Sequence, residues 1–268
     1  AVRRGFALAL PAKQAQADVI CRSSFRGPAK LSAEVWSASA LATAHELYQR
    51  IGIMIAAGIG MLALSMALTA AINRSALYWA FVGWLFISMR MALLSEGADF
   101  SLFGMPLPME FLTPMRQWTV CLYFVITLAI FGQLFRKEMA AIGANWLLHV
   151  QRASALAMLG LCALLGFEQI LPVLWIASAL LFVLTLPCFY IILRRTRSRP
   201  AFWCASSIIV AQIATLNEII AASLGERLLL GGLNSVTAAL ASALLASAAV
   251  AEHMRADRRE RERAQATL

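Results

Sequence analysis

The sequence predicts an all-α membrane protein. We expect a seven-helix transmembrane bundle with its amino terminus outside and its carboxyl terminus inside, preceded by a short β-strand remnant of a periplasmic sheet domain. Three observations carry this. Apolar segments long enough to cross a bilayer fill residues 51–250. Basic residues crowd alternate junctions between them. Of 268 residues, 61% are hydrophobic and only 14% charged, with mean hydropathy +0.74, whereas a soluble domain carries about 25% charged residues. A hydrocarbon core of about 30 Å needs roughly 20 helical residues. The segments lack the alternation of a membrane barrel, so helices are the spanning element.

The expected spans are 51–72, 77–95, 114–135, 153–171, 173–193, 201–222 and 230–250. The fourth and fifth are divided at Pro172, because proline removes a backbone donor and clashes with the preceding turn. Orientation follows from Lys and Arg in the short junctions. One set holds Arg74, then Arg136, Lys137 and Arg152, then Arg194, Arg195, Arg197 and Arg199, and the tail adds Arg255, Arg258, Arg259, Arg261 and Arg263. The opposite set carries Glu96, Asp99, Glu110, Glu168 and Glu226, with Arg227 as its one cation. The first set is expected in the cytoplasm. An isoelectric point near 10.0 would suit a nucleic-acid binder, but the charges sit just past helix ends, as topology requires. No nucleic-acid partner is expected; membrane lipids are.

Residues 1–50 hold seven Lys or Arg, and long exported segments translocate largely regardless of charge. Lys30 to Trp36 alternates polar with apolar at period two, the mark of a half-buried strand. Val19-Ile20-Cys21 reads as a second strand, with turn chemistry at Phe25-Arg26-Gly27-Pro28 between them. A rival reading makes residues 1–17 a signal peptide, but its apolar run from Gly5 to Leu10 is shorter than the usual 7–15 residues or so.

The junction into the first span reads Tyr48-Gln49-Arg50-Ile51-Gly52-Ile53, and a basic, tyrosine-bearing one follows at Asn73-Arg74-Ser75-Ala76-Leu77-Tyr78-Trp79. The second span ends in Ser95-Glu96-Gly97. The last continues without a break into Ala251-Glu252-His253-Met254-Arg255-Ala256-Asp257-Arg258-Arg259-Glu260-Arg261. In this layout the chain resembles the bacterial seven-transmembrane receptors with diverse intracellular signalling modules. The resemblance is one of order and weak motifs. It implies that residues 1–47 are the closing strands of a periplasmic jelly-roll-like domain, 48–251 a seven-transmembrane sensor domain, and 252–268 a cytoplasmic basic signalling helix. It further implies an inner-membrane location and an output domain, a histidine kinase or diguanylate cyclase, absent from this chain. The stimulus would be a small-molecule or periplasmic ligand, and a homodimer would be possible.

Chemistry-bearing residues are weighed against packing. His45, His149 and His253 lie outside the apolar spans, where they cannot face one another as axial haem ligands. Lys13, Lys30 and Lys137 also lie outside, and a retinal Schiff base needs a lysine within a helix. The five cysteines read as small hydrophobes. No catalytic constellation, metal site or cofactor is expected. The polar residues in or near the spans carry more, because burying them in lipid is costly and they usually face the bundle. Arg90, Glu96, Arg116, Gln117, Glu168, Asn217 and Glu218 fall in one outer layer. They are the ligand-binding or signal-sensing candidates, and Arg90 is expected to pair with Glu218. The ordinary reading of the same layer is snorkelling and structural ion pairs. Gln133 is expected to make a helix–helix hydrogen bond.

Small residues recur every four positions at Gly52, Ala56 and Gly60 and again at Ser235, Ala239 and Ala243. Such stripes let helix backbones approach closely. A different-class alternative to the receptor module is a small-solute transporter or permease. The chain shows no inverted repeat and no matching pair of broken helices for it.

Overall fold

The computed structural model describes residues 35–74, 76–95, 101–102, 105–106, 109–196, 199–224 and 235–266. Seven long helices and one short one account for almost all of them. They are α1 (Ala38–Asn73), α2 (Ala76–Ser95), α3 (Met109–Leu134), the short α4 (Arg136–Ala141), α5 (Asn145–Leu164), α6 (Phe167–Thr196), α7 (Arg199–Leu224) and α8 (Ser235–Ala266). Between α2 and α3, β1 (Ser101–Leu102) pairs antiparallel with β2 (Met105–Pro106), in the register Ser101↔Pro106 and Leu102↔Met105.

Among the described residues four helices are long and apolar enough to cross a membrane, through Ala56–Asn73, Glu110–Leu134, Asn145–Leu164 and Phe167–Arg195. Shorter apolar stretches run over Ala76–Met91 in α2 and Phe202–Ala211 in α7. Large apolar side chains stand on the outer surface throughout, among them Ile53, Met61, Leu68, Phe86, Leu156 and Leu180. Water would not tolerate so continuous an apolar surface; hydrocarbon solvates it.

Three boundaries differ from the sequence-based expectation. The expected jelly-roll strands lie in residues 1–34, outside the described residues. Val35 and Trp36, the end of the expected second strand, are not in a strand, and α1 begins at Ala38, well ahead of the domain boundary expected at 47/48. The local chemistry explains it. Ser37 is an N-cap whose side chain accepts from the Ala40 amide at 3.2 Å, and the alanine-rich turn after it has high helix propensity. Glu46 and Arg50 then pair one turn apart. Second, the break expected at Pro172 falls instead at Leu165-Gly166, where Leu165 is extended and α6 restarts at Phe167. Pro172 sits in the second turn of α6, where it forfeits only the bond to the first-turn carbonyl of Glu168; Pro114 stands likewise in α3. Third, the basic junction 136–152 is itself largely helical. It contains α4 and the first two turns of α5.

α3 and α5 run antiparallel. On α3 and α5, Gln117 meets Cys162 while Cys121 meets Met158, so numbers rise on one helix as they fall on the other. Two-residue joints link α1 to α2 and α5 to α6, the geometry of antiparallel helix hairpins. Packing then follows as α2 on α1, α3 and α8, α3 on α5 and α6, and α8 on α7, α2 and α1.

Three apolar clusters fill the interior. One joins Ile59, Ala63 and Ala70 of α1 to Phe81 and Leu85 of α2 and to Ala243 and Val250 of α8. A second gathers Phe131, Phe135, Met139, Leu147, Phe189, Ile192 and Ala205 at one end. Phe189 meets Phe131 and Phe135 edge-on, with centroids 5.4 and 5.3 Å away. The third, with Cys121, Met158, Cys162, Ile170 and Leu174, lies at the opposite end. The end marked by the second cluster also carries Arg74, Arg136, Lys137, Arg152, Arg194, Arg195, Arg199, Arg255 and Arg259, every one exposed. Exposed Trp79, Trp146 and Tyr190 ring the same level, as amphipathic aromatics do at a membrane–water interface.

Candidate functional site

The polar layer expected on the outer side draws its described residues from α2, α3, α6 and α7. Arg116 and Gln117 lie in the third turn of α3. Gln117 is buried, and its Nε2 donates to the carbonyl of Cys162 at 2.6 Å and to that of Leu165 at 2.7 Å. These are carbonyls at the end of α5, where a helix leaves its last acceptors without intrahelical donors. The amide of Leu165 takes the Leu161 carbonyl at 2.8 Å, and Gln117 serves the rest of the turn. One helical turn inward, the Cys121 thiol donates to the Met158 carbonyl at 3.6 Å, and the Cys162 thiol to the Gln117 carbonyl at 3.9 Å. The side chains of Gln117, Cys121 and Cys162 form a polar seam between α3 and α5. Buried thiols are weak donors, so their contribution is close packing. The two amide bonds of Gln117 are the stronger element.

Of the remaining candidates, Arg116 is half-buried, and Glu168, in the first turn of α6, is exposed; both are engaged in interactions. Arg90 is half-buried on α2 and also engaged. It lies one turn beyond the exposed Phe86, yet its Nη2 is buried, and the buried stripe of the helix includes Tyr78, Phe81, Leu85 and Ser88. Glu96 lies outside the described residues. Asn217 and Glu218 lie in the second half of α7, with side chains outside those described. The Arg90–Glu218 pair therefore remains an expectation. Gln133, expected between helices, is exposed.

The packing stripes divide. On α1 the buried positions are Ile59, Ala63 and Ala70, while a Cβ added at Gly60 would meet nothing within 4 Å. Ala56 is half-buried, and the Gly52 side-chain position is not described. The close approach on this helix is Gly58, where an added Cβ would lie 3.6 Å from Leu240 of α8. The register is thus offset from the Gly52–Ala56–Gly60 stripe. On α8, Ala243 is fully buried; the side chains of Ser235 and Ala239 are outside those described.

Sequence reasoning missed three polar features. Gln151, 3% exposed in α5, leaves its Oε1 without a partner among the described residues, as Ser88 leaves its Oγ. Trp84 of α2 donates through Nε1 to the Thr127 hydroxyl of α3 at 2.9 Å and stacks on Tyr123. Ser207 and Ser242 bridge α7 and α8. Gln151 was hidden because it adjoins Arg152 in a basic junction expected to lie outside the spans. The serines carry no charge to mark them.

Among the described residues no three His, Cys, Asp or Glu side chains converge as metal ligands. Comparison with protein families, with characterised proteins and with solved structures gives no match.

Proposed function

We propose that this chain is the membrane-sensing module of a bacterial inner-membrane receptor. Seven helices cross the bilayer, the arginine-bearing ends face the cytoplasm, and the amino-terminal segment is periplasmic. A stimulus at the outer polar layer or in the periplasm shifts the bundle between two packings. α8 passes the shift to a cytoplasmic output domain, a kinase or a cyclase, that lies outside these residues.

The observation that carries the reading is α8 itself. It is one helix from Ser235 to Ala266. Its middle is anchored in the bundle by Ser242, Ala243, Ala249 and Val250, all buried. Its last four turns are rich in arginine and hold few apolar residues. A continuous helix transmits rotation or translation; a flexible joint does not. The exposed arginines at one end agree with a cytoplasmic assignment for that end. The outer polar residues support sensing only through their cost in lipid.

The test is an insertion series in a full-length receptor carrying this module. Two glycines after Glu252 should abolish the response of the output to stimulus while membrane insertion is retained. Four residues of helix-favouring sequence, about one turn, should keep more of the response than two. A normal response after the glycine insertion would refute helical coupling.

A further inference from the structure

An apolar cleft of about 190 Å³ opens between α6 and α7. Its α6 wall runs from Phe182 to Leu193, and its α7 wall is Ala205, Ile208 and Ile209. Ala205 offers only a methyl group where α7 meets Phe189. The hydroxyl of Thr185, within the α6 wall, is already spent on the Leu181 carbonyl, so the cleft offers an occupant almost nothing but hydrocarbon. From Phe182 to Leu193 the helix rises about 16 Å. That is close to one leaflet of a hydrocarbon core about 30 Å thick.

The mouth of the cleft is cationic. Leu193 is followed directly by Arg194 and Arg195, and Arg199 opens α7; all three are exposed. Arg197 stands between them in the sequence, and no Asp or Glu occurs from residue 169 to 217. The carboxylate on an element packed against α6 at this end is Glu138 of α4. Tyr190, 64% exposed, stands one turn below the arginines at the level of the aromatic ring.

We propose that this cleft binds one anionic phospholipid of the inner leaflet. Its acyl chain lies along the α6 wall, and its phosphate sits among Arg194, Arg195 and Arg199. Guanidinium groups suit the phosphate because their planar fork donates two parallel hydrogen bonds. Basic pockets between transmembrane helices on the cytoplasmic side recognise anionic headgroups on the same principle. A second copy docked two-fold on this face would set the arginine cluster against itself, an unfavourable like-charge contact.

The proposal rests on the bilayer reading above, and the experiment separates the two. The full chain is extracted in detergent with equal amounts of phosphatidylglycerol and phosphatidylethanolamine and examined by native mass spectrometry. One phosphatidylglycerol should remain bound per chain, favoured about tenfold over phosphatidylethanolamine. The triple change Arg194→Gln, Arg195→Gln, Arg199→Gln should remove that preference. Ile209→Trp, which fills the cleft and keeps the arginines, should remove the bound lipid. Leu186→Trp fills it from the other wall and serves if Ile209→Trp does not fold. Equal retention of the two lipids would overturn the proposal. So would phosphatidylglycerol retained through both tryptophan changes, which would mean surface attraction alone, or a dimer that excludes lipid. A chain that leaves the membrane without detergent would instead overturn the bilayer reading.

Discussion

Ser207 and Ser242 clasp α7 to α8 by exchanging hydrogen bonds. The Ser207 hydroxyl donates to the Ser242 carbonyl at 2.9 Å, and the Ser242 hydroxyl donates to the Ser207 carbonyl at 3.1 Å. Both side chains are buried. Each hydroxyl reaches the main chain of the facing helix, so the two axes lie close.

The clasp predicts a difference between truncation and enlargement. Interhelical hydrogen bonds within membranes average about 0.6 kcal/mol and reach about 1.7. Ser207→Ala and Ser242→Ala should each lower the unfolding free energy in detergent within that range. Ser242→Leu forces the axes apart and should cost about 1–3 kcal/mol. Thermal melts that rank Ser242→Leu no worse than Ser242→Ala would show that the helices are not closely apposed.

Gln117 is expected to hold the end of α5. Gln117→Leu keeps the volume and loses both donors, leaving two carbonyls unserved, at about 1–3 kcal/mol for a buried group. Amide hydrogen exchange should rise at Leu165 and at the first turns of α6, while α2 and α8 stay as protected as before. Uniform loss of protection would mean that Gln117 supports the whole bundle rather than this joint.

Gln151 points the other way. Its Oε1 is buried without a partner among the described residues, so Gln151→Leu replaces an unsatisfied acceptor with hydrocarbon. The gain should be about 1 kcal/mol, seen as a higher midpoint of unfolding. A lower midpoint would reveal a bond to Gln151 that the described residues do not supply.

Topology is open to labelling. In a chain stripped of its native cysteines, Ser101→Cys should react with a membrane-impermeant thiol reagent from the periplasmic side of intact cells. Ser198→Cys should react only after the membrane is opened. Reaction at position 198 in intact cells would invert the bundle and remove the cytoplasmic role of the arginine-rich tail.

Much of this helical layout is legible from apolar length alone. Four of the expected spans, 51–72, 77–95, 173–193 and 201–222, lie wholly within single helices, 114–135 overruns α3 by one residue, the described part of 230–250 lies in α8, and the misplaced division at Pro172 shows the limit of the method. Proline in a second turn forfeits one bond, whereas Gly166 beside an extended Leu165 ends a helix outright. The start of α1 was masked because Lys30–Trp36 alternates at period two; the N-cap at Ser37 was the stronger local signal. The polar seam was only half legible. Gln117 is conspicuous in an apolar segment, but its partners are main-chain carbonyls, which sequence does not distinguish. The clefts and clasps depend on which small residues face each other. That is a property of two helices together and is written in neither one.

From Val250, the last buried residue of its anchor, to Ala266, α8 extends about 24 Å along a single axis. Held by the bundle up to that point, the remainder is a lever arm. Each degree of tilt at Val250 swings Ala266 through about 0.4 Å on that length. A change in helix packing too small to alter any contact by the width of an atom is thereby magnified at the far tip.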